Sequence, residues 1–319
     1  MTALLLGPAL RHVDSESATV WVETDGPCTV EVLAPGVRAS EPTFGVAGHH
    51  YAMVIIEGLD AATSYEYEVR LDGEPVWPHP DSRHPPSRIR TLDPDRPFTL
   101  VFGSCRFATV TAVGNDSHMD FDALDAYALR MATIAPQAWP DAMLMVGDQV
   151  YADETTDETR KFIAARRDIT VPPGSEVADF VEYTRLYLES WSDPDARWLM
   201  STVPSSMIFD DHDVRDDWNT SHSWREEMQQ TSWWEERITG GLMSYWIYQH
   251  LGNLSPAALA EDELYQRVRG ARDAEPLLRE FAQAADAEAD GAKGARWSYR
   301  RDFGRNRLLV IDSRCGRIL

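Results

Sequence analysis

Leu144-Met145-Val146-Gly147-Asp148-Gln149-Val150-Tyr151 is an apolar run that ends in a glycine, then presents a carboxylate and, three residues later, a phenol. An Asp delivered at the C-terminal edge of a buried strand lies where α/β sheets keep their chemistry. Two other stretches share the design: Leu100-Val101-Phe102-Gly103-Ser104-Cys105-Arg106 upstream, and Ser206-Met207-Ile208-Phe209-Asp210-Asp211-His212-Asp213 downstream. Between the first two, residues 121–134 carry helical spacing through Phe121, Leu124, Ala128 and Met131. Strand, helix, strand predicts a βαβ unit with both strands aimed the same way, so three strand ends point reactive groups at one rim.

Residues 1–93 read differently. Short alternating runs such as Ala18-Thr19-Val20-Trp21-Val22 and Ser64-Tyr65-Glu66-Tyr67-Glu68-Val69-Arg70-Leu71 predict antiparallel strands. The segment from Leu59 to Tyr67 resembles the tyrosine corner of fibronectin type III and immunoglobulin-like sandwiches. The expected fold is therefore a β-sandwich over 1–93 followed by an α/β domain over 94–319, with the Pro-, Asp- and Ser-rich stretch 78–97 as the boundary. His49 and His50 read as an incidental loop pair. Residues 214–250 are dense in aromatics, among them Trp218, Trp233, Trp234, Tyr245, Trp246 and Tyr248, which fits helix packing on the sheet better than a lid over a pocket. The run 307–314 reads as one more strand, and on that basis the chain is expected to stop inside its catalytic domain.

A formal net charge of -22 argues against general affinity for nucleic acid or anionic membrane, so any phosphate must be met locally by cations or a few arginines. Cys28, Cys105 and Cys315 are too few and too scattered for a disulfide framework or a zinc cage. No stretch approaches the roughly 18 apolar residues of a membrane span, and the start lacks a signal-peptide pattern. As it stands the sequence reads as cytoplasmic, or as secreted if a leader has been removed.

The acidic turn 210–213 gathers three aspartates and a histidine at the end of an apolar strand, where they repel one another unless positive charge joins them. A helix N-terminus would explain one aspartate as a cap and leave the others without a reason. A metal accounts for all of them. Carboxylate, thiol and phenol together favour a strongly Lewis-acidic ion, with Fe³⁺ as the natural choice. By contrast, Asp116-Ser117-His118 reads as a loop or cap, and Asp153 and Glu154 as solvated acids.

Phe-Gly-Ser-Cys-Arg at 102–106, Val-Gly-Asp-Gln-Val-Tyr at 146–151, Asp-Asp-His-Asp at 210–213 and Ile-Asp-Ser-Arg at 311–314 together resemble the PhoD-type alkaline phosphatases, members of the metallophosphoesterases with an α/β/β/α sandwich. That resemblance implies Cys105, Asp148 and Tyr151 as ligands of Fe³⁺, Asp148 as a bridge, and Asp211 at a second, divalent metal. The family implies Ca²⁺ there, while related enzymes use Zn²⁺ or Mn²⁺. It further implies His212 near the leaving group, and Arg106 and Arg314 as contacts to phosphate. The late Gly-Asp-x-His motif of the family has no counterpart after Arg314.

The implied function is hydrolysis of phosphate esters, by a hydroxide generated between two metals about 3.5–4 Å apart. A phosphodiesterase or phospholipase would differ only in substrate. The competing reading, motivated by the missing late motif, is an inactive fragment or a binding scaffold with a degenerate metal site.

Overall fold

In the computed structural model, residues 2–107, 122–291 and 294–319 are described. Ten strands occupy the N-terminal part: β1 (Leu4–Val13), β2 (Ser17–Thr24), β3 (Thr29–Ala34), β4 (Val37–Pro42), β5 (Phe44–Val46), β6 (His49–Glu57), β7 (Ser64–Glu66), β8 (Glu68–Leu71), β9 (Glu74–Trp77) and β10 (Arg88–Arg90). They form two four-stranded antiparallel sheets, in the orders β1-β2-β6-β5 and β4-β3-β8-β9, and a small β10-β7 pair. Val20, Val22, Ala52 and Val54 of the first sheet pack with Val30, Val32 and Val69 of the second. Tyr65 Oη accepts the Asp60 N–H at 2.9 Å, a bond back to the preceding turn of the kind the sequence predicted.

The first sheet is not half-solvated. Every residue of β2 is buried. Side chains alternate across a strand, so Trp21, Tyr51 and Met53 leave the opposite face from Val20, Val22 and Val54, and there they join the core of the α/β region. His49 belongs to β6 rather than to a loop, which corrects the sequence expectation: its Nδ1 meets Glu23 Oε1 at 2.7 Å and its Nε2 meets Thr184 Oγ1 at 3.2 Å.

The α/β region continues with β11 (Leu100–Gly103), α1 (Ala123–Ala132), β12 (Ala142–Val146), α2 (Asp157–Arg166), α3 (Phe180–Trp191), α4 (Pro194–Thr202) and β13 (Ser205–Ile208). The three strands form a parallel sheet in the order β11-β12-β13, with Phe102 opposite Leu144 and Val146 opposite Ile208. The predicted βαβ unit is thus present, and all three strands end at one rim. Each helix has a local reason to start where it does: Asp122, Thr156, Asp179 and Asp193 cap α1 to α4 with their side-chain oxygens.

Next come α5 (His222–Gln229), α6 (Trp234–Ser244), a π-helical turn (Tyr245–His250), α7 (Pro256–Glu261), α8 (Glu263–Arg269) and α9 (Glu275–Asp286). Trp218, Trp234, Tyr245, Trp246 and Tyr248 are buried, so the aromatic stretch is core rather than lid. The last elements, β14 (Tyr299–Phe303) and β15 (Asn306–Val310), pair with each other as an antiparallel hairpin and with no other strand among the described residues. The reading of 307–314 as one more strand holds for 307–310, which lie in this hairpin. Strand β14 escapes the sequence pattern because its inward positions are Tyr299, Arg301 and Phe303, with the arginine buried.

Gly147 fixes how closely β12 and β13 end. Its φ of +109° lies in the left-handed region, and a Cβ there would stand 2.4 Å from Asp210 Cβ. Gly147→Ala is therefore expected to lower unfolding free energy in urea by roughly 3 kcal/mol. Gly36→Ala, also at positive φ but with nothing within 4 Å, should cost only about 1 kcal/mol. Equal losses at the two sites would contradict the close approach.

His250 is buried against Trp297 and Tyr245, and burial lowers its pKa from 6.5 to about 4. Between those values the unfolded chain takes up a proton that the folded chain refuses, so this group's contribution to stability is whole above pH 6.5 and is lost as pH falls toward 4. From pH 7 to pH 5 the parent should lose about 2 kcal/mol more than His250→Asn, as read from denaturant unfolding. Parallel pH curves for the two proteins would contradict it.

Candidate metal centre

The centre begins with backbone. Beyond the ends of β11 and β12 the two loops remain joined, Cys105 N donating to Gly147 O at 3.1 Å and Arg106 N to Asp148 O at 3.0 Å. Cys105 and Asp148 both have positive φ, at 57° and 51°. For a residue with a Cβ this costs about 1–2 kcal/mol, and the surrounding bonds hold it. The result turns the two side chains together: Cys105 Sγ donates to Asp148 Oδ2 at 3.2 Å. Asp148 is 3% exposed, and its Oδ1 accepts the His212 N–H at 3.2 Å.

Around Asp148 the charge is concentrated. Carboxylate oxygens of Asp148, Asp210 and Asp211 lie within 4.8 Å of one another, and Asp211, Asp216 and Asp217 form a second, more exposed group. Burial raises the Asp148 pKa, and Asp210 and Asp211 raise it further. A hydrogen bond from Ser104 draws the Cys105 thiol down, but burial with Asp148 and Asp210 outweighs it and the net shift is upward. Tyr151 is likewise pushed up, by burial first and then by Asp148 and Cys105. Asp148, Cys105 and Tyr151 are thus driven toward their protonated forms by burial and by neighbouring acids, the condition a bound cation reverses. A set of carboxylates, one thiol and one phenol fits a hard, strongly Lewis-acidic ion.

The histidine and the arginines differ in role. His212 stacks against Tyr151 with ring centroids 4.7 Å apart, and its Nδ1 faces Asp153 Oδ1 at 2.9 Å. Burial pulls the imidazole pKa down, but Asp153, Asp148 and Asp211 together raise it. Asp153 is therefore a partner and not the solvated acid that the sequence reading made it, whereas Glu154 is exposed. Arg314 spans two of the acids, with Nε 2.5 Å from Asp210 Oδ1 and Nη2 3.1 Å from Asp211 Oδ2. Arg106 points elsewhere: Nε donates to Asp122 Oδ2 at 2.8 Å and Nη1 to the Ser190 carbonyl and hydroxyl, bracing the β11 loop to α3.

The structure thus brings Cys105, Asp148, Tyr151, Asp211, His212 and Arg314 to one rim, while the Arg106 guanidinium is turned away. Asp116, Ser117 and His118 lie outside the described residues. Sequence reasoning left Asp210 off the ligand set, although its place beside Asp211 was a sufficient signal. It also missed the work of Asp213, which is 4% exposed and accepts backbone N–H groups from Asp148 and Asp210. Burial, then Asp148, pushes the Asp213 pKa up to about 7. No helix starts at this turn; α5 begins nine residues after Asp213, at His222, so the aspartates do not cap one. Beside Tyr151 lies a small hollow of about 20 Å³, lined by Arg106, Phe107, Glu154, Leu186 and Glu189 among others.

Comparison with known proteins gives two family matches and a structural one. Residues 1–89 match the model of a domain of unknown function (DUF7800), and residues 117–272 match that of the PhoD-like phosphatase family. No curated protein matches. The solved structure described as "Structure of PhoD" superposes with a TM-score of 0.58 at 14% sequence identity. The match covers 98% of this chain and 52% of that one, so the chain spans about half the length of the structure it resembles. Asp148, Tyr151 and the 210–213 turn all fall inside the phosphatase match, whereas Cys105 and Arg314 lie on either side of it. Over residues 117–272, just under half of its length, the chain is thus similar to the PhoD-like phosphatase family.

Proposed function

We propose that the chain hydrolyses phosphate esters at a metal centre held by Cys105, Asp148, Tyr151, Asp210 and Asp211. The observation that carries the reading is the convergence of thiol, phenol and three carboxylates at one rim, where burial and the neighbouring acids push Asp148, Cys105 and Tyr151 toward their protonated forms. Fe³⁺ with a second divalent ion, Ca²⁺ or otherwise Zn²⁺ or Mn²⁺, suits that donor set. Such a pair supplies Lewis acidity that polarises the phosphoryl group and makes water nucleophilic near neutral pH. The N-terminal sheets, through the Tyr65 bond to Asp60, support an immunoglobulin-like sandwich over 1–93, and the remainder, 94–319, a metallophosphoesterase-type domain.

The protein's own groups divide the other tasks. Asp153 orients the imidazole through Nδ1 and helps keep it protonated, so His212 is suited to give a proton to the departing alkoxide from Nε2. Arg314, anchored by Asp210 and Asp211, offers its remaining N–H donors to a phosphoryl oxygen. An acidic chain can hold an anion here because the acids are spent on metal.

Asp148→Asn keeps the size of the side chain and removes its charge. With Fe and Mn²⁺ supplied, the parent should hydrolyse p-nitrophenyl phosphate or its bis ester, and Asp148→Asn should lose about 10³-fold or more in kcat with the fold intact by circular dichroism. Turnover within tenfold of the parent would sink the assignment.

A further inference from the structure

Asp213 makes no use of its charge at the rim. Its Oδ2 accepts the N–H of Asp148 at 2.8 Å and of Asp210 at 2.9 Å, and its Oδ1 accepts that of Gln149 at 3.1 Å and of Val150 at 3.4 Å. A fifth donor, Gln249 Nε2, reaches Oδ1 at 3.1 Å. Both oxygens are thus filled from inside the protein, and one carboxylate ties the loop after β12 to the loop after β13. Those are the two loops that present Asp148, Tyr151, Asp210 and Asp211.

Gln249 is fully buried and belongs to the π-helical turn, a geometry that is uncommon and concentrates at functional sites. The same amide nitrogen also donates to Tyr187 Oη at 2.9 Å. Tyr187 stacks face to face on Tyr248, with centroids 4.0 Å apart and planes 5° from parallel. Tyr248 Oη in turn donates to Glu23 Oε2 at 3.0 Å and lies 3.0 Å from Tyr51 Oη. Arg11 of β1 donates to the carbonyls of Tyr248 at 3.1 Å and of Gln249 at 2.7 Å. Arg11, Glu23 and Tyr51 come from the segment matched as a domain of unknown function.

We propose that Asp213 and Gln249 are positioning residues for the metal-binding loops, and that the N-terminal sheet sets their geometry by holding the π-helical turn through Arg11, Glu23 and Tyr51. The inference rests on the metal-centre reading above and assigns the N-terminal segment a part in it: a wall of the scaffold that fixes where Asp148 stands. Removing the Gln249 amide leaves Asp213 Oδ1 with backbone donors alone and frees the 147–150 loop to shift. Second-layer partners of this kind typically alter metal affinity or activity by about 10–100-fold.

The test uses the full chain with Gln249→Leu, Tyr248→Phe and the double variant, and Tyr187→Phe as a milder second route to Gln249. Backbone amide exchange at residues 148–150 should quicken about tenfold in Gln249→Leu, while β2 and β6 amides stay within about twofold. The dissociation constant for Mn²⁺ alone should rise about 10–100-fold, and kcat should fall with KM nearly unchanged. Tyr248→Phe should move all three readouts in the same direction by a smaller factor, and the double variant should match Gln249→Leu, because Tyr248 acts through Gln249. Parent-like exchange and Mn²⁺ affinity in Gln249→Leu, or in Tyr187→Phe if the first does not fold, would overturn the proposal. So would a double variant whose effect is the product of the single ones. A parent that holds Mn²⁺ but hydrolyses no ester would contradict the hydrolase reading, and the exchange and Mn²⁺ comparisons would still decide this one.

Discussion

Three carboxylates stand within 4.8 Å of one another at the end of a buried sheet, and the Arg314 guanidinium that reaches Asp210 and Asp211 leaves the buried Asp148 without a cationic partner among the described residues. Much of the architecture serves to bring them there. Parallel pairing of β11, β12 and β13 brings three strand ends level. Gly147 lets the second and third ends approach, and left-handed Cys105 and Asp148 turn thiol and carboxylate toward each other. Strain and repulsion are both unfavourable to the folded chain as such, and both are concentrated where a metal would relieve them.

The surrounding protein supplies the rigidity that such a site demands. A sheet packed on two faces differs from an ordinary sandwich sheet. Val20 and Val22 serve the sandwich, while Trp21 and Glu23, the alternate residues of the same strand, serve the α/β core. Arg11 is fully buried, and among the described residues no carboxylate is hydrogen-bonded to it; its partners there are the Tyr248 and Gln249 carbonyls and the Met207 sulfur. A buried guanidinium whose two terminal nitrogens are bonded to carbonyls at the end of a helical turn makes that turn costly to move. The N-terminal sheet and the metal loops therefore share one continuous packed network.

What the sequence disclosed, it disclosed through local pattern. The buried strand 142–146 reads as a continuous apolar run, 100–103 and 206–209 carry shorter ones, and each led directly to polar residues at the rim. Gly147 before Asp148 and the Asp-rich turn were visible for the same reason. What stayed hidden depends on contacts between distant residues. Asp153 meets His212 across 59 positions, and Gln249 meets Asp213 across 36. Neither has a neighbouring motif to announce it. Arg106 shows the opposite error, since its position after Cys105 was right while its guanidinium is committed to Asp122 and Ser190. Strand β14 was missed because its inward face carries an arginine.

The most direct measurement of the central claim is an anomalous-difference diffraction map, recorded at the absorption edge of the metal that the purified protein carries. The account predicts a peak within coordination distance of Cys105 Sγ, the Asp148 carboxylate and Tyr151 Oη, with a second near Asp148 and Asp211. A crystal of metal-loaded protein whose peaks all lie away from Asp148, or that shows none, would contradict it.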